Sequence, residues 1–429
     1  MSTLVFDIGK TNKKALIFDG DLHVVHSVSK VFAETTDDDG DACEDIDAVC
    51  AWIDGLLEDI VPRFSVSRIN FTTYGATLVY LDEKGQRVGC VYNYLKHIDT
   101  SFLRKLYGEF GGPQHFHAVT GSPPLGALNS GFQLAWLKAT KPAYFNRTSV
   151  ALHLPQYLSY RLHGKLISEF TSVGCHTAMW DFGRKDYHSW LSTFGLSPKL
   201  PECISSQQRF NAFVGGRSVQ VGAGLHDSSA ALVTHLEAQQ GEFVLLSTGT
   251  WAIALNPFDH TPLTTYELSR DCLTFLDTSG KSVKASRLFL GYEHNVRTAE
   301  LAKLYNVDQE TYKLAAYDPA LDPVGQPPRF LWDYLHDTVP RGIGQHGDDR
   351  NFNAAYHRLM RELVDIQLSQ LDLVKPRQDM TKLVVDGGFC ANTLFIEMLR
   401  KAYPKAEVVT WDGANGSALG AALIAQASS

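Results

Sequence analysis

Four short stretches hold the residues whose types and spacing could do chemistry. Asp7-Ile8-Gly9-Lys10-Thr11-Asn12-Lys13-Lys14 gathers a carboxylate, a glycine, a hydroxyl, an amide and cations directly after an apolar run. A glycine lets backbone N–H groups approach an anion, and a neighbouring carboxylate can hold Mg2+, so this stretch suits a phosphate chain with its metal. A plain hairpin turn is the competing reading, because Asp, Gly and Asn favour turns on backbone grounds alone. Ser247-Thr248-Gly249-Thr250 stands in the equivalent place between the apolar runs 243–246 and 251–255. One such turn is only a turn, whereas a pair suggests two loops closing on phosphates from opposite sides.

The third stretch, Asp386-Gly387-Gly388-Phe389-Cys390-Ala391-Asn392, follows the apolar run 383–385 and opens a helical pattern. Glycines there allow a flat ring or a ribose to lie against backbone, and Asn392 can exchange hydrogen bonds with it; a tight strand-to-helix joint capped by Asn392 is the alternative. In the fourth, Gly222-Ala223-Gly224-Leu225-His226-Asp227 leads into small apolar residues. Asp227 is either a helix N-cap or a carboxylate placed to take a proton from an attacking hydroxyl.

The elements that must position these residues follow from the hydrophobic pattern. Runs 4–6 and 15–18 flank the first turn as two strands, and 243–246 and 251–255 repeat the plan, so two similarly built halves are expected. Residues 355–373 place Met360, Leu363, Val364, Leu368 and Leu371 near one helical face. KLVVDGG, ANTLFIEMLRKAY, EVVTW and ANGSALGAALIAQA alternate strand and helix, an α/β layout. The lobe boundary is expected in the irregular stretch 205–217, with Gly215-Gly216 as a flexible joint. Asp37-Asp38-Asp39-Gly40-Asp41 lacks the carboxylates of a calcium loop, since Thr35 and Ile46 fill its first and twelfth places, and reads as a solvated loop.

The chain's 429 residues, 44% apolar and 20% charged, are enough for two lobes with cores of their own. Its formal charge of -8 lacks the clustered positive charge that nucleic acid requires. Seven scattered cysteines, none spaced C-x-x-C, argue for reduced thiols and against a zinc site. With no membrane span or leader pattern, a cytoplasmic protein is expected. Gly126-Ala127-Leu128-Asn129-Ser130-Gly131 has the glycines of a P-loop but Phe132-Gln133 where Lys-Ser/Thr is needed, and no hydrolase motif occurs.

Taken in order, the four stretches resemble the FGGY carbohydrate kinases, members of the wider actin-like sugar-kinase ATPase fold. DIGKTNKK is similar to their first phosphate motif, STGTWAI to their second, DGGFCAN to their adenosine motif, GLHDSSAAL to the segment carrying their catalytic Asp, and ANGSALGAALIA to their last helix. The likeness runs from residue 3 to about 425. Thr72–Gly85 resembles the rhamnulose-kinase form of the sugar-site segment, and Leu154–Gly174 the stretch running from a helix into a strand near the sugar. STGTW leans the same way, while DGG-x-x-AN is closer to the glycerol-kinase form. Tyr92-Asn93-Tyr94-Leu95-Lys96 replaces an Arg-Asp pair usual in the family, and the chain is shorter than most relatives.

The resemblance implies two actin-like (ribonuclease H-like) α/β lobes, each a mixed sheet flanked by helices, around a cleft. Residues 1–214 would bind sugar and carry the first phosphate loop; 215–429 would bind ATP and carry the catalytic Asp. It implies ATP held by Gly9, Lys10, Thr11, Asn12, Thr248, Gly249, Thr250, Gly387, Gly388 and Asn392, with Mg2+ near Asp7. Asp227 would be the general base, and Thr73, Tyr74, Gly75, Ala76, Asn93, Tyr94, His226 and Asp227 would surround the sugar. The expected reaction is phosphorylation of a primary hydroxyl of a ketose, a rhamnulose- or fuculose-like deoxy-ketohexose or a ketopentose. A catalytically weak sugar- or nucleotide-binding regulator, and an actin-like or chaperone-type ATPase, are the alternatives. Sugar and ATP are the expected partners, without nucleic acid or membrane, and a homodimer is the assembly considered.

Overall fold

A computed structural model describes residues 2–332, 349–375, 380–411 and 413–427. Two large mixed sheets organise it, and the strand labels used here count the members of those sheets. In the first, β1 (Ser2–Ile8), β2 (Asn12–Phe18) and β3 (Val24–Val31) form an antiparallel meander. Helix α1 (Ile46–Arg63) crosses over so that β4 (Val66–Thr73) returns parallel to β1. Then β5 (Arg209–Val214), β6 (Arg217–Gly222) and the short β7 (Leu225–His226) complete the order β5-β6-β4-β1-β2-β3, with β7 also beside β4. Leu4, Val5, Phe6 and Ile8 are all buried because β1 is covered on both faces, which is why its sequence is apolar without alternation. The Asp45 side chain caps α1 by accepting from the Ala48 N–H at 3.0 Å. Ile46, Val49, Ile53, Leu57 and Ile60 of α1 are buried in the same apolar cluster as Leu4 and Phe6.

The second sheet repeats the plan. β8 (Val244–Thr248), β9 (Ala252–Asn256), β10 (Cys272–Leu276), β11 (Ser282–Leu288), β12 (Lys382–Gly387) and β13 (Glu407–Trp411) take the order β10-β11-β9-β8-β12-β13. The meander β8-β9-β11 corresponds to β1-β2-β3, and the parallel strand β12 to β4. Helices α4 (Leu290–Tyr305), α5 (Phe352–Val374) and α6 (Thr393–Ala402) pack on this sheet around Tyr356, Leu359, Met360 and Leu363.

Between the sheets lie α3 (Asp227–Ala238) and α7 (Gly416–Gln426); α2 (Leu154–His163) flanks the first sheet. A Cβ at Gly420 would overlap the Ala230 carbonyl oxygen, so α7 meets α3 backbone to backbone. Ala418, Ala421 and Ala422 of α7 share one core with Val5, Leu16, Phe18 and Leu225 of the first sheet. The Asn70 amide donates to the Ala421 carbonyl at 2.9 Å.

Two expectations change. Gly215-Gly216, at φ +54 and +74, is the turn of the β5–β6 hairpin, not a joint. Paired glycines with positive φ suit a two-residue hairpin, and the polar strand edges on either side disguised it as irregular chain. The first sheet therefore runs on to His226, and a division after residue 214 would cut it. The acidic loop is not simply solvated either. The buried Lys96 ammonium meets Asp37 at 2.8 Å, Asp39 at 3.0 Å and Asp41 at 2.5 Å, and Lys141 meets Asp38 at 2.8 Å and Asp39 at 2.6 Å. Among the described residues, no helix is long and apolar enough to cross a membrane.

Candidate active site

The strands β1, β4 and β7 end level with one another. Asp7 lies opposite Thr72 and Thr72 opposite Leu225, while Ile8, Thr73 and His226 form the next row. This edge of the sheet is where α/β folds present loops to ligands. Asp7 and Asp227 thus face the same space from either side of β4. None of the described residues donates a hydrogen bond to the Asp7 carboxylate. Burial, and then the charge of Asp227, push its carboxyl up to about 7 against the pull of Lys14. Burial also pushes Asp227 up to about 6, opposed by the Ser228 N–H at 2.6 Å and hydroxyl at 3.2 Å. Asp227 is the first residue inside α3, with His226 at the cap position, so it is not the N-cap.

In the first loop the Gly9 N–H closes on the Asn12 carbonyl at 3.0 Å, leaving Thr11 and Asn12 exposed at the tip. The cations divide. Lys10 reaches Glu34 at 2.5 Å and lies 5.7 and 5.9 Å from the ring centroids of Tyr74 and Tyr94. Lys13 is buried on Glu44 at 2.8 Å, and Glu44 also accepts from the Tyr74 hydroxyl at 2.8 Å. Lys14 donates to Asn415 at 2.9 Å. Lys10, expected on the phosphates, lies in this structure on the side of Tyr74 and Tyr94.

The residues expected around a sugar fall into two groups. Tyr74, Gly75, Ala76 and His226 join Thr77, His153, Leu154, Pro155 and Ser172 around a small pocket. Ala76 adopts φ +58, a left-handed conformation costly for alanine, and Gln133 holds its carbonyl at 2.6 Å. Thr73 turns its hydroxyl onto the Tyr74 carbonyl at 2.9 Å, and Asn93 donates to Glu34 at 3.3 Å, outside that pocket. Tyr94 stands with its ring 5.9 Å from that of Tyr74. His226 Nε2 lies 3.2 Å from Asp227 Oδ1 and 3.2 Å from Cys175 Sγ, while its Nδ1 is 3.5 Å from the Ser229 hydroxyl. Its Nε2 thus stands against both the Asp227 carboxylate and the Cys175 thiol. Its ring is 6.4 Å from that of His176. Burial holds His153 and His176 down to about 3 and His226 to about 4, so all three are neutral near pH 7. Sequence reasoning missed His153, Cys175 and His176; His153 ends a short strand, the adjacent Cys175-His176 lie in a turn, and no motif links the two places.

The second sheet borders a cavity of about 400 Å³ lined by Gly249, Thr250, Gly291, His294, Asn295, Tyr312, Lys313, Gly388, Phe389 and Asn392 among others. Gly249, Thr250, Gly388 and Asn392, from motifs far apart in the chain, line this cavity together. The Thr250 carbonyl accepts from the N–H groups of Gly291 at 3.1 Å and Tyr292 at 3.3 Å. A Cβ on Gly291 would overlap the Gly249 carbonyl, and one on Gly387, at φ +89, the Thr248 carbonyl. Thr248 stands behind the wall: its hydroxyl donates to the Asp386 carbonyl at 2.5 Å and accepts from the Phe389 N–H at 3.1 Å. Asn392 both caps α6, accepting from the Phe395 N–H at 3.1 Å, and donates to the Tyr356 hydroxyl at 2.7 Å. The cap reading of Asn392 is thus met, and the residue also edges the cavity. Gly291, His294 and Tyr312 escaped sequence reasoning because a glycine at a helix start and two aromatic side chains carry no motif.

Comparison with known proteins follows the same lines. The model of the FGGY family of carbohydrate kinases, N-terminal domain, matches residues 2–234. A rhamnulokinase of Klebsiella pneumoniae subsp. pneumoniae is 27% identical over 226 residues, 50% of this chain and 44% of that protein. One of Pectobacterium atrosepticum is 28% identical over 209 residues, 46% of this chain and 40% of its own length. The chain thus spans less than half the length of these curated relatives. The crystal structure of a carbohydrate kinase from Novosphingobium aromaticivorans superposes with a TM-score of 0.80 at 25% identity, covering 98% of this chain and 93% of that one. A ligand-bound xylulose kinase from Lactobacillus acidophilus gives 0.81 at 15% identity, over 99% and 89%. Both share the two-sheet fold.

Proposed function

The chain belongs to the FGGY family of carbohydrate kinases, and from that premise we propose that it transfers the terminal phosphoryl group of ATP to a primary hydroxyl of an uncharged ketose. One observation carries the reading: Asp227, held up to about 6, lies between a pocket walled by neutral histidines and the end of β1 that holds Asp7. A carboxyl tuned towards neutrality is suited to general-base work. The sugar O–H gives its proton to Asp227 while its oxygen bonds to the terminal phosphorus. The bond from that phosphorus to the bridging oxygen breaks, and ADP leaves.

The remaining residues position this step. The cavity edged by Gly249, Thr250, Gly388 and Asn392 is large enough for adenosine, with Tyr312 and Phe389 as apolar walls. Gly9 to Asn12 and Gly249-Thr250 approach the phosphates from the two sheets. Asp7, without a donor from the described residues and beside a second carboxylate, fits a divalent cation. When bound, Mg2+ would neutralise charge on the phosphates. Tyr74, Gly75, Ala76 and His226 face the sugar, and His226 also orients Asp227. The sugar-binding half is the first sheet through His226, and the nucleotide half begins at β8.

The rhamnulokinase relatives and the Thr72–Gly85 segment favour a deoxy-ketohexose such as L-rhamnulose or L-fuculose over a ketopentose. The test is ADP release with Mg2+ across L-rhamnulose, L-fuculose, ketopentoses, polyols and aldoses. Release that depends on a ketose is expected, and its loss in Asp227→Asn. Sugar binding without turnover by the intact protein would instead indicate a regulator.

A further inference from the structure

The cations of the first loop are all committed: Lys10 to Glu34, Lys13 to Glu44 and Lys14 to Asn415. A guanidinium on the other sheet keeps one nitrogen open. Arg287 lies on β11 opposite Ile253 of β9. Its Nε and Nη2 donate side-on to the two oxygens of Asp271 at 2.7 and 3.1 Å. Its third nitrogen, Nη1, has no partner among the described residues. Asp271 holds φ +62, a left-handed conformation that Asp tolerates better than most residues. The guanidinium carbon is 4.9 Å from the Trp251 ring centroid, and Trp251 stacks on Phe289 at 4.3 Å. Trp251 follows Gly249-Thr250, whose residues edge the nucleotide cavity. On the other side, the charge of Arg287 acts on Cys175 and His176, which adjoin His226. Arg287 is therefore clamped between Asp271 and Trp251, near residues that adjoin each pocket.

We propose that Arg287 contacts the outermost phosphoryl group of the bound nucleoside triphosphate through its Nη1 edge, with Asp271 and Trp251 fixing its plane. A guanidinium offers a planar, permanently charged fork matched to phosphate oxygens, and an arginine already clamped loses little side-chain freedom on binding. This rests on the kinase reading and names the group that reads the terminal phosphate.

The experiment titrates MgATP and MgADP into the wild type, Arg287→Gln and Arg287→Lys, with a melting curve for each. Arg287→Gln is expected to weaken MgATP by about tenfold while MgADP changes by less than about twofold, and Arg287→Lys to fall between. Equal weakening of both nucleotides, or unchanged MgATP affinity in Arg287→Gln, overturns the assignment while the kinase reading stands. If Arg287→Gln melts too low to titrate, Arg287→Lys decides, because a selective loss for MgATP supports the contact and an equal loss removes it. A wild type that binds neither nucleotide overturns both readings.

Discussion

Asp7 and Asp227 present their carboxylates to one space from either side of β4, and burial together with their mutual repulsion keeps Asp7 well above the ordinary carboxylate range. Neither can relax by pairing with a strong cation: Lys14 acts on Asp7 from its place at Asn415, and Asp227 leans on Ser228 and His226. The proposed division of labour, Asp7 holding a cation and Asp227 accepting a proton, makes each carboxylate testable on its own.

Replacing Asp227 by Asn removes the base but keeps its shape. Sugar-dependent kcat should fall by about 10³-fold, while binding of sugar and of MgADP stays near wild type. Retained turnover would show that another group takes the proton.

The pH profile follows from the same carboxyl. Asp227 must be ionised to act and titrates at about 6, so kcat/KM should climb with pH through that value and then level off. The acid limb should vanish in Asp227→Asn, and a residual activity with the same limb would assign it to another group.

Stability gives a second handle on Asp7. Its folded value of about 7 exceeds the 3.8 of a free side chain. A raised carboxyl favours the folded state below its unfolded value, and that contribution is lost as pH rises through the folded one. Without Mg2+, Asp7→Asn should therefore melt above wild type at about pH 8 and much less so at about pH 5, and Mg2+ should narrow the gap by binding the wild type. Equal melting temperatures at the higher pH would sink this account.

Gly291, in the first turn of α4, lies against the carbonyl of Gly249. Gly291→Ala should push the Gly249-Thr250 turn outward, weakening MgADP by about tenfold or more and costing about 1–3 kcal/mol of stability. Titration calorimetry and denaturant melts read the two effects separately, and unchanged nucleotide affinity would mean the turn does not touch the ligand.

The histidine pocket bears on substrate charge. His153, His176 and His226 stay neutral far below pH 7, so these imidazoles offer a sugar carboxylate no compensating charge. Ketoses should be phosphorylated with kcat/KM about 10²-fold or more above the matching aldonates. Comparable rates for both would place the acyl end of the sugar elsewhere.

Much of this arrangement was legible in the sequence because it rests on short-range signals. Glycine turns after apolar runs marked both hairpins, and the shared strand-turn-strand order marked the duplication. What stayed hidden depends on distance. His153, His176 and His226 meet only once three separate elements fold together, and Arg287 becomes informative only beside Asp271 and Trp251. The place of Lys10 in the loop is visible in the sequence, while Glu34, which it pairs with, is not. The Gly215-Gly216 turn shows the opposite failure: a local hairpin signal was present, but the polar residues on the strands around it looked like linker.

Helix α7 adds a matter of timing. Its alanines cover the face of the first sheet formed by Val5, Leu16 and Phe18, and Asn70 waits for the Ala421 carbonyl. Those strands leave the ribosome some 400 residues before their cover does, so a nascent chain carries an open apolar sheet through most of its synthesis. The surface behind Asp7 is therefore sealed only after α7 has been made, which leaves it open to non-native contacts in the growing chain.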